Sequence, residues 1–228
     1  MKYELPMDSD KKDYALALTK AGVGSIPIVG ALLAEILPLI VTPSLEKRRS
    51  EWMQEVGKGL RDIESKLPSL EYLQSKDNFI DAAVEASRIA LSNSQEEIKN
   101  ALKNAILNTA LYDSMESSKQ KLFLHFLDTF TEWHIRILKL FDDPESYLRR
   151  TGITFRVSMG SIMTLIEIVF PPLKGEKEFT LAIWNDLYSR TLFTTQNIQG
   201  TMSGAGIIAR RTSDLGREFL RFIEAPSS

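Results

Sequence analysis

Apolar side chains recur at steps of three, four and seven residues almost without interruption as far as residue 150, a period that the α-helix satisfies and the strand does not. The chain is therefore expected to be mainly α. Leu45, Trp52, Val56, Leu60, Ile63 and Leu67 share one face of a helix. It opens at Thr42-Pro43, where the threonine oxygen can cap an N–H and proline fits the first helical position, and it closes at Pro68. Ser94-Gln95-Glu96-Glu97 reads as a capping box, with Glu97 reaching back to the Ser94 N–H, and opens a helix that runs to about residue 112. "KQKLFLHFLDTFTEWHIRILKLF" predicts one long central helix with Leu122, Phe126, Phe130, Trp133, Ile137 and Phe141 on its apolar face. Asp143-Pro144 repeats the cap-plus-proline punctuation and is expected to mark a domain boundary.

Beyond residue 150 the pattern changes. "SIMTLIEIVFPPL" predicts a helix stopped by Pro171-Pro172, and "KEFTLAIWNDLYSRTLF" a second one with Leu181, Trp184, Leu187 and Leu192 inward. The stretch "TTQNIQGTMSGAGIIARRT" is rich in Gly, Thr and Ser, and its expected regular structure is a short β-hairpin around Gly204-Ala205-Gly206. A final amphipathic helix, "SDLGREFLRFI", follows. Helix, helix, hairpin, helix is the order of a winged helix-turn-helix domain. The words agree with that order: "IWNDLYSRTLFTT" and "RRTSDLGREFLRFI" resemble the winged helices of multiple-antibiotic-resistance-type regulators over roughly residues 150–224. There an L-x-x-R-x-L-like helix end leads into the wing and a T-x-x-G-like turn opens the closing helix. Where those regulators usually carry glycine after the arginine, this chain has Thr191. Over about residues 20–145, "PSLEKRRSEWMQEVGKGLRDIE", "ASRIALSNSQEEIKNALKNAILNTAL" and "WHIRILKLFDDP" resemble a group of uncharacterised bacterial helical proteins with a glycine-containing apolar N-terminus. That second resemblance implies a bacterial origin and no activity. The expected division is thus 1–145, an α-helical domain with an apolar glycine-containing N-terminal hairpin, and 146–228, a winged-helix-like domain.

The chemistry available to 228 residues without cysteine is limited: disulfides, thiolate nucleophiles and cysteine-based zinc sites are excluded. His125 and His134 lie nine residues apart, which on one helix turns them about 180° from each other. They cannot then share a metal. No H-E-x-x-H, Walker-type or G-x-G-x-x-G motif stands in its proper context. The expectation is a protein that is not an enzyme and needs no cofactor, metal or small-molecule substrate. With 28 Lys plus Arg against 30 Asp plus Glu, the formal net charge is −2, so no global field draws the chain to nucleic acid or anionic lipid. A local patch would be needed. Asn185, Tyr188 and Arg190 on the presumed recognition helix, with Arg210, Arg211, Arg217 and Arg221 after it, are the candidate residues for binding DNA or a protein. Glu178 and Asp186 share that helix and would repel phosphate, while Asp214, Glu218 and Glu224 could pair with the arginines.

"AGVGSIPIVGALLAEILPLIV", residues 21–41, is the most apolar stretch. As one helix it would extend about 31 Å, enough to cross a hydrocarbon core. Glu35 near its centre would cost on the order of 3 kcal/mol in lipid, and Gly22, Gly24 and Pro27 suggest a break into two shorter helices. Ala17, Ala21 and Ser25, then Gly30 and Ala34, place small residues four apart, as closely packed helix backbones require. Such a hairpin suits either a protein core or an oligomer that inserts into a membrane, and Lys47, Arg48 and Arg49 follow within reach of anionic headgroups. The first residues, "MKYELPMDSDKKDY", do not read as a secretory signal, so the cytoplasm, with attachment to the inner membrane as a variant, is the expected location.

Two functions fit these features, with a soluble scaffold that does neither as a third. One is a non-enzymatic bacterial protein that self-associates through its N-terminal hairpin, in its sharpest form a membrane-disturbing, toxin-like or phage-defence effector with a winged-helix sensor or docking module. The other is a winged-helix DNA-binding regulator whose helical domain serves dimerisation or ligand binding.

Overall fold

The computed structural model describes residues 43–69, 71–112 and 115–226, and the chain is mainly α. The elements, numbered in chain order, begin with α1 (Pro43–Asp62), α2 (Asp77–Ser92), α3 (Glu96–Leu111), α4 (Ser117–Thr129), α5 (Glu132–Asp142) and α6 (Pro144–Thr151). They continue with β1 (Met159–Gly160), α7 (Ile162–Val169), α8 (Lys177–Ser189), β2 (Met202–Ser203), α9 (Gly204–Ile207) and α10 (Asp214–Ile223). Single 3-10 turns occur at Glu64–Lys66, Glu71–Ser75 and Pro171–Leu173. Among the described residues no helix is long and apolar enough to cross a membrane.

The chain gathers into two compact units, one holding the described residues 43–94, 102–124 and 225–226, the other Gln95–Ala101 and His125–Glu224. In the first, α1 packs on α2. The predicted face of α1 is the buried one: Trp52, Val56, Leu60, Ile63 and Leu67 are all inside, and Leu45 is half-buried. Opposite them α2 buries Ala82, Ala83, Ala86 and Ala90, whose short side chains let two backbones approach. The Trp52 Nε1–H finds a partner in Ser87 Oγ at 2.9 Å, as a buried indole must. Buried Lys76 donates from Nζ to the Ala110 carbonyl at 3.2 Å, setting its charge at the negative end of α3.

In the second unit α5 packs against α8 and α10. Phe141 of α5 meets the ring of Trp184 edge-on at 5.1 Å, Trp184 stacks on Phe193 at 4.2 Å, and its Nε1–H donates to the Thr195 carbonyl at 2.8 Å. Asp143 caps α6 by accepting the Ser146 N–H at 3.1 Å, a bond that holds its carboxyl below the usual range, and Pro144 follows it as predicted. Gly152, at φ 69°, ends the helix.

Two expectations fail. The long central helix is broken: α4 stops at Thr129, and Thr131 starts α5 through a capping box completed by His134. With the break, Leu122 turns out to be exposed, Trp133 is half-buried, and Phe123 and Leu124 take the fully buried places. Nor do residues 204–206 form a hairpin. Gly204–Ile207 is a helical turn capped by Ser203, and the strand pairing is antiparallel between Met159–Gly160 and Met202–Ser203. A Cβ at position 204 would collide with the Val157 carbonyl oxygen, so glycine is demanded there by close approach and not by a hairpin turn.

Candidate functional site

α8 ends in a tight reversal, with the Thr191 N–H bonded to the Tyr188 carbonyl and the Leu192 N–H to the Leu187 carbonyl, both at 2.9 Å. Such a closure needs one left-handed residue, and Thr191 supplies it at φ 62°. Glycine adopts this conformation freely; a β-branched side chain is strained in it. The loop that follows is closed by the antiparallel bridge between Phe193 and Thr212 and by the Thr194 N–H on the Arg211 carbonyl at 2.9 Å. Ser213 then caps α10 by accepting the Gly216 N–H at 2.9 Å. A Cβ on Gly216 would strike the Leu192 carbonyl oxygen, so a side chain there would hold α10 off the exit of α8. The S-D-L-G turn before the last helix therefore has a packing reason.

At about 100° per residue, the outer face of α8 is centred on Glu178, Ala182, Asn185 and Ser189, with Tyr188 on one flank and Phe179 on the other. All six are exposed, Phe179 to 43% and Tyr188 to 37%. The centre of this face carries one acid and no basic side chain. Asn185 and Tyr188 are thus where a partner could reach them.

The arginines are differently placed. Arg190 turns back along α8, its Nε 2.9 Å from Asp186 Oδ1 and its guanidinium 5.1 Å from the ring centres of both Phe126 and Phe130. Arg210 donates from Nε to the Asp142 carbonyl at 2.6 Å. Arg211 donates from Nη2 to the Gly206 carbonyl at 2.5 Å, and partial burial lowers its pKa. Arg217 is bonded to Asp214 within the first turn of α10, and Arg221 is exposed further along that helix. Arg210, Arg211 and Arg217 are thus bonded within the fold, and the arginines of residues 210–221 do not form one free cationic surface. Ala17, Ala21, Ser25, Gly30, Ala34 and Glu35, like the Thr42 cap, lie outside the described residues.

Behind α8 lies a polar cluster set in aromatic carbon. His134 is buried, its ring stacked on Phe130 at 4.6 Å, and Phe219 of α10 meets Phe130 edge-on at 5.9 Å. The Thr131 N–H donates to His134 Nδ1 at 3.0 Å. An N–H can only face a lone pair, so the imidazole proton sits on Nε2, which is 3.4 Å from Asp186 Oδ2. Burial lowers the His134 pKa to about 4; Asp186 opposes the shift and Arg190 adds to it. His125 is exposed on α4. Among the described residues no group of three or more His, Asp and Glu side chains could hold a metal ion.

Comparison with known proteins yields no match to a family model, a curated protein or a solved structure.

Sequence reasoning missed two features here. Nothing in the sequence separates exposed Phe179 from a core aromatic at helical spacing. The joining of His134 to Asp186 spans two helices and 52 positions, and the one local signal for it was a threonine three residues before the histidine.

Proposed function

We infer that this chain is a non-enzymatic recognition protein whose C-terminal part works as a winged-helix-type docking module for a protein partner, with the apolar segment of residues 14–41 providing self-association. The order α7, α8, strand and α10 supports the winged-helix reading, as do the pairing of a strand before α7 with one after α8, the serine cap and the glycine that opens α10. One observation carries the choice of partner: the centre of the outer face of α8 carries small side chains and one acid, Glu178, with exposed Lys177 at the helix start, and is flanked by two exposed aromatics, while Arg190, Arg210 and Arg211 are bonded inward. Binding to duplex DNA takes its affinity from cations that neutralise phosphates, and this face offers few. A protein partner takes it from aromatic anchors surrounded by small polar groups.

Two measurements test this reading. Duplex DNA titrated by fluorescence anisotropy across a salt series is expected to show no salt-dependent binding by the full chain. A photo-reactive residue at Ala182 is expected to give a discrete protein adduct in cells, one that Asn185→Ala with Tyr188→Ala abolishes and that the same probe at Lys47 does not give. Tight, salt-sensitive DNA binding, or no adduct specific to position 182, overturns it.

A further inference from the structure

The cluster behind α8 has a property that the docking reading does not use. His134 Nδ1 must remain an acceptor, because the Thr131 N–H points at it. That bond is half of the capping box that starts α5 immediately after the break from α4. A proton on Nδ1 would set one N–H against another and leave only the Thr131 hydroxyl oxygen, also 3.0 Å away, to accept it, so the imidazolium loses the backbone half of the capping box. The charged groups facing His134 are Asp186 of α8, 3.4 Å from Nε2, and Arg190, the residue that follows α8. From the link between α4 and α5 comes the ring of Phe130 and from α10 that of Phe219, neither with a charge to balance the cation.

We propose that His134 is an acid-operated latch on the joint between α4 and α5: protonation at Nδ1 breaks the Thr131 cap, expels the ring from its stack on Phe130, and frees the Asp186–Arg190 end of α8. Acid would thereby couple the helix joint to α8 through one side chain. The sign follows from the two states. An unfolded imidazole takes up its proton near pH 6.5, whereas the folded one resists until about 4, so the contribution of His134 to stability is whole above pH 6.5 and is lost as pH falls toward 4. At pH 5 this amounts to an unfolding constant about 30-fold larger than the one at pH 8.

The test uses the full chain. In histidine-selective nitrogen NMR, the His134 signal, identified by its loss in His134→Gln, is expected to show the Nε2–H tautomer at pH 7.5 and a titration midpoint well below 6.5. Near-UV dichroism of the tryptophans is expected to fall along the same curve. Glutamine at this position keeps a carbonyl acceptor for the Thr131 N–H and cannot titrate, so the variant should hold its near-UV signal to lower pH. Wild-type and variant acid curves that superimpose overturn the latch. If the variant does not fold, the wild-type spectra decide: an Nδ1–H tautomer, or a midpoint at 6.5 or above, also overturns it.

Discussion

Thr191 is the clearest case in which one side chain disagrees with its backbone. Its φ of 62° belongs to glycine, its side chain is exposed, and the turn it makes is fixed by hydrogen bonds on either side. A left-handed L-residue costs roughly 1–2 kcal/mol, and glycine returns part of that gain through its freer unfolded chain. Thr191→Gly is therefore expected to stabilise the protein by about 1 kcal/mol, read as a higher urea midpoint at unchanged slope, while Thr191→Val should give no gain. The position could be singled out from the sequence only because the resembling regulators carry glycine there. That the residue is left-handed follows from the way Leu187 and Tyr188 accept the closing N–H groups, which the linear chain does not reveal.

Among the elements, the instructive failure is the join of α4 to α5. Leu122, Phe126, Phe130, Trp133, Ile137 and Phe141 step by four, four, three, four and four, so the apolar stripe passes through the break with no change of period. Periodicity reports which face is apolar and is blind to a helix that stops and restarts in phase. The break is held by polar partners instead: Thr131 and His134 in the cap, and Gln95, whose Oε1 accepts the Glu132 N–H at 2.7 Å from 37 positions away. Removing that acceptor leaves an N-terminal N–H of α5 without its partner in a half-buried place. Gln95→Ala is expected to destabilise the protein by about 1–2 kcal/mol in chemical denaturation. The predicted cap at Ser94–Glu97 reads differently in three dimensions, since Glu97 binds Lys139 Nζ at 2.6 Å. By contrast α7 and α10 lie where their serine caps and periods placed them, because those signals act within one or two turns, whereas α1 ends at Asp62, six residues before Pro68, and α8 ends at Ser189, four residues before the end of its predicted segment.

For the whole molecule, the electrostatic balance matters more than any single patch. A formal net charge of −2 and arginines turned toward carboxylates and carbonyls argue for recognition by shape and aromatic contact. The proposed self-association belongs to the same scale, and it rests on the four-residue spacing of small side chains near the N-terminus. In sedimentation velocity the full chain is expected to run above its monomer mass, and Gly30→Leu with Ala34→Leu to shift it toward monomer by keeping the backbones apart. A wild-type chain that is already monomeric would remove the self-association part of the proposal. Helical class, the capped helix starts at Asp143, Ser161 and Ser213 and most of the buried apolar positions were readable along the chain, since propensity, capping and periodicity are local. What the arginines do, which glycines are obligatory, and the placement of a neutral histidine between Thr131 and Asp186 depend on contacts between residues tens of positions apart. A side chain's charge is visible in sequence, but its partner exists only once distant helices have met.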